Sequence, residues 1–170
     1  MRILAVVLAA GLLMAACGER GAHTSMSPTP ACEATPPPDA PSFDQARALL
    51  EGEEGSVLIT VEVAERPEQH AFGLMERDCL PEDHGMVFVF FEDTTTGFYM
   101  YRTKIPLSIA FFDVDGEIVD IIDMEPCTSD QPAECEIYQP DSPYRGALEV
   151  NQGAFERWGV GVGDHIRLVR

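Results

Sequence analysis

Positive charge is scarce in this chain: 11 Lys and Arg stand against 29 Asp and Glu, a formal net charge of -18. A polyanion repels nucleic-acid phosphates and anionic lipid heads, which argues against nucleic acid as a partner and against electrostatic docking on a membrane. Long apolar runs are missing too. The longest stretch of that kind, Ile3 to Ala16, falls short of the ~20 residues that span a bilayer. No Gly-x-Ser-x-Gly surrounds Ser108, and Thr103 has no evident base, so nucleophilic catalysis lacks its parts. No Cys-x-x-Cys pair occurs, and His23, His70, His84 and His165 are scattered without metal spacing. Neither a metal nor a cofactor is therefore expected, and the histidines read by default as surface residues.

What is present begins with a leader. One cation, Arg2, precedes the apolar run, and small residues lead into Cys17. Leu13-Met14-Ala15-Ala16-Cys17 resembles the bacterial lipobox, which implies cleavage after Ala16 and a diacylglycerol on the Cys17 sulfur. Residues 1–16 are thus expected to be a lipoprotein signal peptide. Residues 17–41, rich in Pro, Ser, Thr and Ala with little to bury, form a lipidated, disordered linker. Residues 42–170 are left as one domain, since a single core suits that length.

Within this domain the Ser42-x-x-Gln45 capping box, followed by Ala46 to Leu50 and a Gly52 stop, predicts a short helix. Val57, Ile59, Val61 and Val63 alternate and predict a strand. Pro67 opens a second helix, with Ala71, Leu74 and Met75 on its apolar stripe. Met86 to Phe91 is a continuous apolar run, expected to be a strand buried on both faces, and Phe98 to Tyr101 a further strand. Leu107 to Phe112 and Glu117 to Ile122 flank Asp115-Gly116, a hairpin signal. Asp113, Asp115 and Glu117 invite a calcium reading, but Ile118 and Met124 stand where the twelve-residue loop needs Gly and Glu. Arg145 to Val150 is another strand, Asn151 caps a short helix through Trp158, and His165 to Val169 is the last strand. The fold class is mainly β (α+β): a single compact barrel- or sandwich-like domain with two or three short helices, rather than a βαβ sheet.

With Cys17 lipidated, Cys32, Cys79, Cys127 and Cys135 remain, and in an oxidising compartment three pairings are open to them. Cys127 and Cys135 enclose one Pro-containing loop, which favours their bond. Cys32 with Cys79 then follows by elimination.

Several spaced motifs carry a family resemblance. They are Gly73-Leu74-Met75-x-Arg77, Leu80-Pro81-x-x-x-Gly85-Met86-x-Phe88-x-Phe90, and Phe98-x-Met100-x-x-Thr103-x-Ile105-Pro106-Leu107-x-Ile109-x-Phe111, closing with Leu148-Glu149-Val150 and Gly163-Asp164. In this order they resemble domain-of-unknown-function family 192, from Val61 to Leu168. The resemblance implies a compact, mostly β fold, frequent export and no established reaction. The family commonly reads Phe-Trp-Met-Lys-Asn-Thr where this chain has Phe98-Tyr99-Met100-Tyr101-Arg102-Thr103, so Tyr101 and Arg102 replace a Lys-Asn pair, with Arg102 or Lys104 as substitute cations.

Packing explains the apolar members of that pattern and explains its charges poorly. Arg77 suits an anionic group, Thr103 a hydrogen bond, and Glu149 an acceptor or base. The plainer alternative is a structural Arg77–Glu149 ion pair with Thr103 capping a turn. The Phe98 to Tyr101 cluster, Met100 included, suits stacking on a sugar or other flat ligand, although aromatic strands more often build core. The expected function is a lipid-anchored cell-envelope protein facing the extracytoplasmic side. It would hold the membrane through its lipid and bind a small molecule, glycan or envelope protein near Arg77, Phe98, Met100, Thr103 and Glu149. The rival expectation is a hydrolase-type enzyme using Glu149 and Arg77.

Overall fold

A computed structural model of the chain describes residues 32, 36–53 and 55–169. The leader, Cys17 and most of the Pro-rich linker lie outside these residues. Among the described residues seven strands are present: Asp44–Gly52 (β1), Gly55–Ala64 (β2), His84–Thr94 (β3), Leu107–Phe112 (β4), Ile118–Met124 (β5), Tyr144–Asn151 (β6) and His165–Val169 (β7). They form one curled sheet in the order β5-β4-β6-β3-β2-β1-β7. The outermost strands approach each other at one corner, where Glu117 bridges His165 and Ile166 N donates to Gly116 O at 2.8 Å. The result is a half-barrel rather than a sandwich. Two short α-helices, Pro67–Phe72 (α1) and Ala154–Arg157 (α2), accompany it.

The helix expected at residues 42–50 is strand β1. Its backbone pairs with β2 on one side and β7 on the other, while Ala46, Ala48 and Leu50 point alternately into the core. Two ladders of hydrogen bonds outweigh the weak local preference of a capping box. The sheet is not built of βαβ repeats, since its ladders are otherwise antiparallel, but it holds one such unit: β2 and β3 are parallel, and α1 lies in the crossover between them. Phe98 to Tyr101 is no strand. It makes one bridge, Phe98 with Tyr138, and then turns. Asn151 does not cap α2; it ends β6, and its amide donates to the carbonyls of Leu80 (2.9 Å) and Pro81 (3.3 Å). Gly153, at φ 72°, precedes α2 instead. The Pro67 helix ends at Phe72, because Gly73 takes φ 51°, and the buried Leu74 follows outside it.

Burial has two sides. Ile59, Val61, Val63, Val87, Leu148 and Val150 belong to one apolar cluster together with Phe155 of α2. Residues of the opposite parity, including Met86, Phe88, Leu107, Ile109, Phe111 and Ala147, join a second cluster with Leu74, Leu80 and Met100. Strands β3, β4 and β6 are therefore apolar on both faces, which is why their sequences run nearly without alternation. The run from Met86 ends early: Phe91 is 86% exposed.

The disulfides join Cys32 to Cys79 and Cys127 to Cys135. The second closes a short loop and contributes about 2–3 kcal/mol in the chain-entropy account. Asp113 is occupied within its hairpin turn, where its carboxylate accepts from Asp115 N and Glu117 N, both at 2.9 Å.

Packing leaves no room at Gly146 of β6, where an added Cβ would stand 2.2 Å from the Phe112 ring. Gly146→Ala is expected to lower unfolding stability by about 1–3 kcal/mol in urea titration. Gly161→Ala, into open space, should change it by less than about 0.5 kcal/mol.

Candidate functional site

On the second face of the sheet, Glu149 of β6 stands in register with Met86 of β3 and Ile109 of β4. Both neighbours are apolar and fully buried, and Glu149 itself is 5% exposed. No side-chain hydrogen bond reaches its carboxyl among the described residues. Burial without a partner favours the neutral acid and pushes the carboxyl up to about 8.

The carboxyl lines a cavity of about 340 Å³, at the lower end of the ~300–1,000 Å³ usual for ligand pockets. Phe88 and Phe90 of β3 face it, α1 and the turn after it supply His70, Ala71 and Leu74, and the segment opposite supplies Phe98, Tyr99 and Thr103. The rings pack on one another: Phe88 and Phe98 meet edge to face at 5.0 Å, and His70 lies 4.7 Å from Phe90. His70 is thus part of a wall and not a free surface residue. Its Nε2 sits 3.0 Å from Ala64 O.

Three ties hold the 96–103 segment over the sheet. Tyr144, buried in the aromatic floor, donates its hydroxyl to Thr96 O, and desolvation raises that phenol well above its ordinary range. Phe98 and Tyr138 exchange two backbone hydrogen bonds of 2.8 Å. Met100 O accepts from Thr103 N and Cys127 N, both at 3.2 Å, which links the segment to the Cys127–Cys135 loop. On the other wall, Gln69 orients α1: its Oε1 accepts from the backbone N of Glu65 (2.9 Å) and Arg66 (3.0 Å), and its Nε2 donates to Ser42 O at 2.7 Å.

Of the expected site residues, the fold brings Phe98, Thr103 and Glu149 together around this cavity. Met100 is 1% exposed and belongs to the core. Arg77 goes elsewhere: it pairs with Glu62 and lines a separate space of about 10 Å³, roughly one water in size. The Arg77–Glu149 pair envisaged from the sequence does not form. Glu62, in register with Met86, lies two strands from Glu149 on the same face, about 10 Å away by strand spacing. Burial raises the Glu62 carboxyl more than Arg77 lowers it, and Nε and Nη1 of Arg77 have no acceptor. The wall residues missed in the sequence include His70, Ala71, Phe88 and Phe90. The even-numbered phenylalanines of the apolar run were the available signal.

Residues 48–168 match the family described as Uncharacterized ACR, domain of unknown function 192. The chain belongs to this family. Among solved structures, one from Sinorhizobium meliloti 1021, described as a candidate transcription regulator, is 33% identical with a TM-score of 0.69, over 75% of this chain and 96% of that one. A protein of unknown function from Novosphingobium aromaticivorans DSM 12444 is 27% identical with a TM-score of 0.65, over 71% and 83%. No curated protein matches the chain.

The motif stretches of the family resemblance converge here, since Gly73, Leu74, Phe88, Phe98, Thr103 and Glu149 all line the cavity. The replaced Lys-Asn pair of the family pattern falls outside it, whereas Tyr99, where the family has Trp, is part of the wall. Tyr101 turns toward the Cys127–Cys135 loop, its hydroxyl 3.4 Å from Asp130 O. Arg102 takes φ 55°, a left-handed conformation that Asn adopts more readily than Arg. It pairs with Glu76 at 2.5 Å, and Lys104 pairs with Asp78 at 2.9 Å, so neither cation serves Glu149.

A carboxyl whose folded pKa lies above its unfolded value favours folding at low pH and loses that contribution as pH rises through the folded pKa. For Glu149 the window runs from 4.5 to about 8. Relative to the parent, Glu149→Gln should be near neutral at about pH 4 and more stable above about pH 9, by on the order of 5 kcal/mol, in denaturant titrations across pH. An equal difference at both ends would contradict the desolvated carboxyl.

Proposed function

We propose that this protein is a lipid-anchored binding protein of the cell envelope, whose domain takes a small molecule into the Glu149 cavity. The supporting observation is an unpartnered carboxyl, 5% exposed, in a cavity walled by aromatic rings. Desolvating such a group without a partner costs stability, a cost a fold carries when the group recognises something else.

The two disulfides suit an oxidising compartment outside the cytoplasm. In this reading Cys17 carries the lipid and residues 18–31 the leash, attached to the domain through Cys32 and Cys79. Fully extended, that leash reaches about 45 Å at ~3 Å per residue. The description of the Sinorhizobium relative does not carry over as DNA binding, because a charge of -18 opposes a phosphate backbone. The hydrolase alternative had Arg77 assisting Glu149; that guanidinium is bound to Glu62, so the reading keeps the desolvated Glu149 carboxyl in its cavity and loses the assisting cation.

Two measurements test the proposal. Mass spectrometry of the native membrane fraction should find residues 1–16 absent and Cys17 acylated; an unprocessed soluble chain would overturn the anchoring. A thermal-shift panel of neutral sugars, aromatic compounds and amines should contain a class that stabilises the domain, about 1.4 kcal/mol at ten times Kd. Ala71→Trp, at an exposed position of the wall, should abolish the shift. A panel without any response, or a shift that survives the tryptophan, would reject the cavity.

A further inference from the structure

We infer that the Glu149 cavity takes an organic ammonium group, with Glu149 as its counter-ion and the rings of Phe88, Phe90, Phe98 and Tyr99 around it. This rests on the cavity being a ligand site and adds the chemistry of what it holds.

The wall is suited to one kind of charge. Among the described residues neither Lys nor Arg lines it; the titratable groups facing it are Glu149 from β6, His70 from α1 and Tyr99 from the 96–103 segment. The strands beside β6 place Met86 and Ile109 in register with Glu149, and the buried guanidinium of Arg77 is held by Glu62 in its own space. An anion would therefore meet a carboxyl and no fixed cation. Aromatic faces attract cations, by about 2 kcal/mol or more once the cation is desolvated. A bare metal ion fits badly, because hard cations such as calcium take about six to eight oxygen ligands and this wall offers one carboxyl. An alkylammonium has the complementary surface: apolar carbon against the rings and one charge against one carboxylate. The net charge of -18 draws cations to the domain before they reach the cavity.

Binding moves one proton. Burial keeps the empty pocket's carboxyl protonated to about 8. When the cation enters, the Glu149 O–H bond breaks, its electron pair stays on the carboxylate and the proton passes to solvent. The neutral acid and free cation become a neutral ion pair plus one proton. Affinity should consequently climb with pH below that value and level off above it.

The test is calorimetric titration of choline chloride into the full-length protein between about pH 6 and 9, in two buffers of different ionisation heat. Dimethylbutanol, the uncharged carbon isostere of choline, runs in parallel. Choline should bind at least about tenfold more tightly than the alcohol. Its affinity should rise about tenfold from pH 6 to 7, with about one proton released to buffer. Glu149→Gln should remove the pH dependence and most of the affinity while remaining folded, and Tyr99→Ala, at a position 37% exposed, should weaken binding severalfold. If the alcohol binds as well as choline, or choline affinity ignores pH, the ammonium assignment is overturned and the cavity remains a ligand site. If choline fails to bind into the millimolar range, the assignment also falls; the cavity falls with it only if the whole thermal-shift panel is silent.

Discussion

Burial of the central strands on both faces is the constraint from which the rest follows. Strands β3, β4 and β6 sit between two apolar clusters, one inside the curl with α2 and one outside it under α1 and the 96–106 segment. At the central positions of such strands, Gly85 to Phe88 in β3 and Gly146 to Val150 in β6, a charged side chain has no easy route to water. Glu149 is placed where its two cross-strand neighbours are Met86 and Ile109, so its ionisation is governed by desolvation. Exposing that face would return the carboxyl to ordinary behaviour and dissolve the cavity with it.

Two glutamates on this face show how a partner changes the outcome. Glu62 and Glu149 stand in register with the same residue, Met86, from opposite sides. Glu62 meets Arg77, and the pair forms at the cost of two guanidinium nitrogens, Nε and Nη1, without acceptors. Orphaned buried donors of this kind cost about 1–3 kcal/mol each, so that pair is structural cross-linking more than net stabilisation. Glu149 meets only rings and a cavity. Glu62 holds the turn after α1 to the sheet, and Glu149 has no such partner among the described residues.

Rigidity of the cavity comes from ties that lie outside it. The 96–103 segment has almost no regular secondary structure, yet Tyr144, Tyr138 and the Cys127–Cys135 loop each fix one part of it. The turn after α1 is bound to the same segment, because Glu76 N donates to Arg102 O at 2.8 Å and their side chains pair. Walls held in this way have little freedom left to lose, so the entropic cost of any binding there would be low.

Much of the fold was legible in the sequence where the pattern is local. Alternation at Val57 to Val63, the Asp-Gly turn after Phe112 and the apolar run from Met86 each gave a strand its place, because side-chain direction along a strand depends only on position within it. Where local and distant forces disagreed, as at Ser42 to Leu50, pairing with β2 and β7 prevailed over the helix signal. The candidate residues Phe98, Thr103 and Glu149 were legible as a set through their motifs, but their neighbours were not. That Arg77 serves Glu62, that Met100 is core and that His70 forms a wall were decided by strands and turns meeting across long stretches of chain. Periodicity along a segment fixes which way a side chain points; only tertiary packing fixes what it meets there.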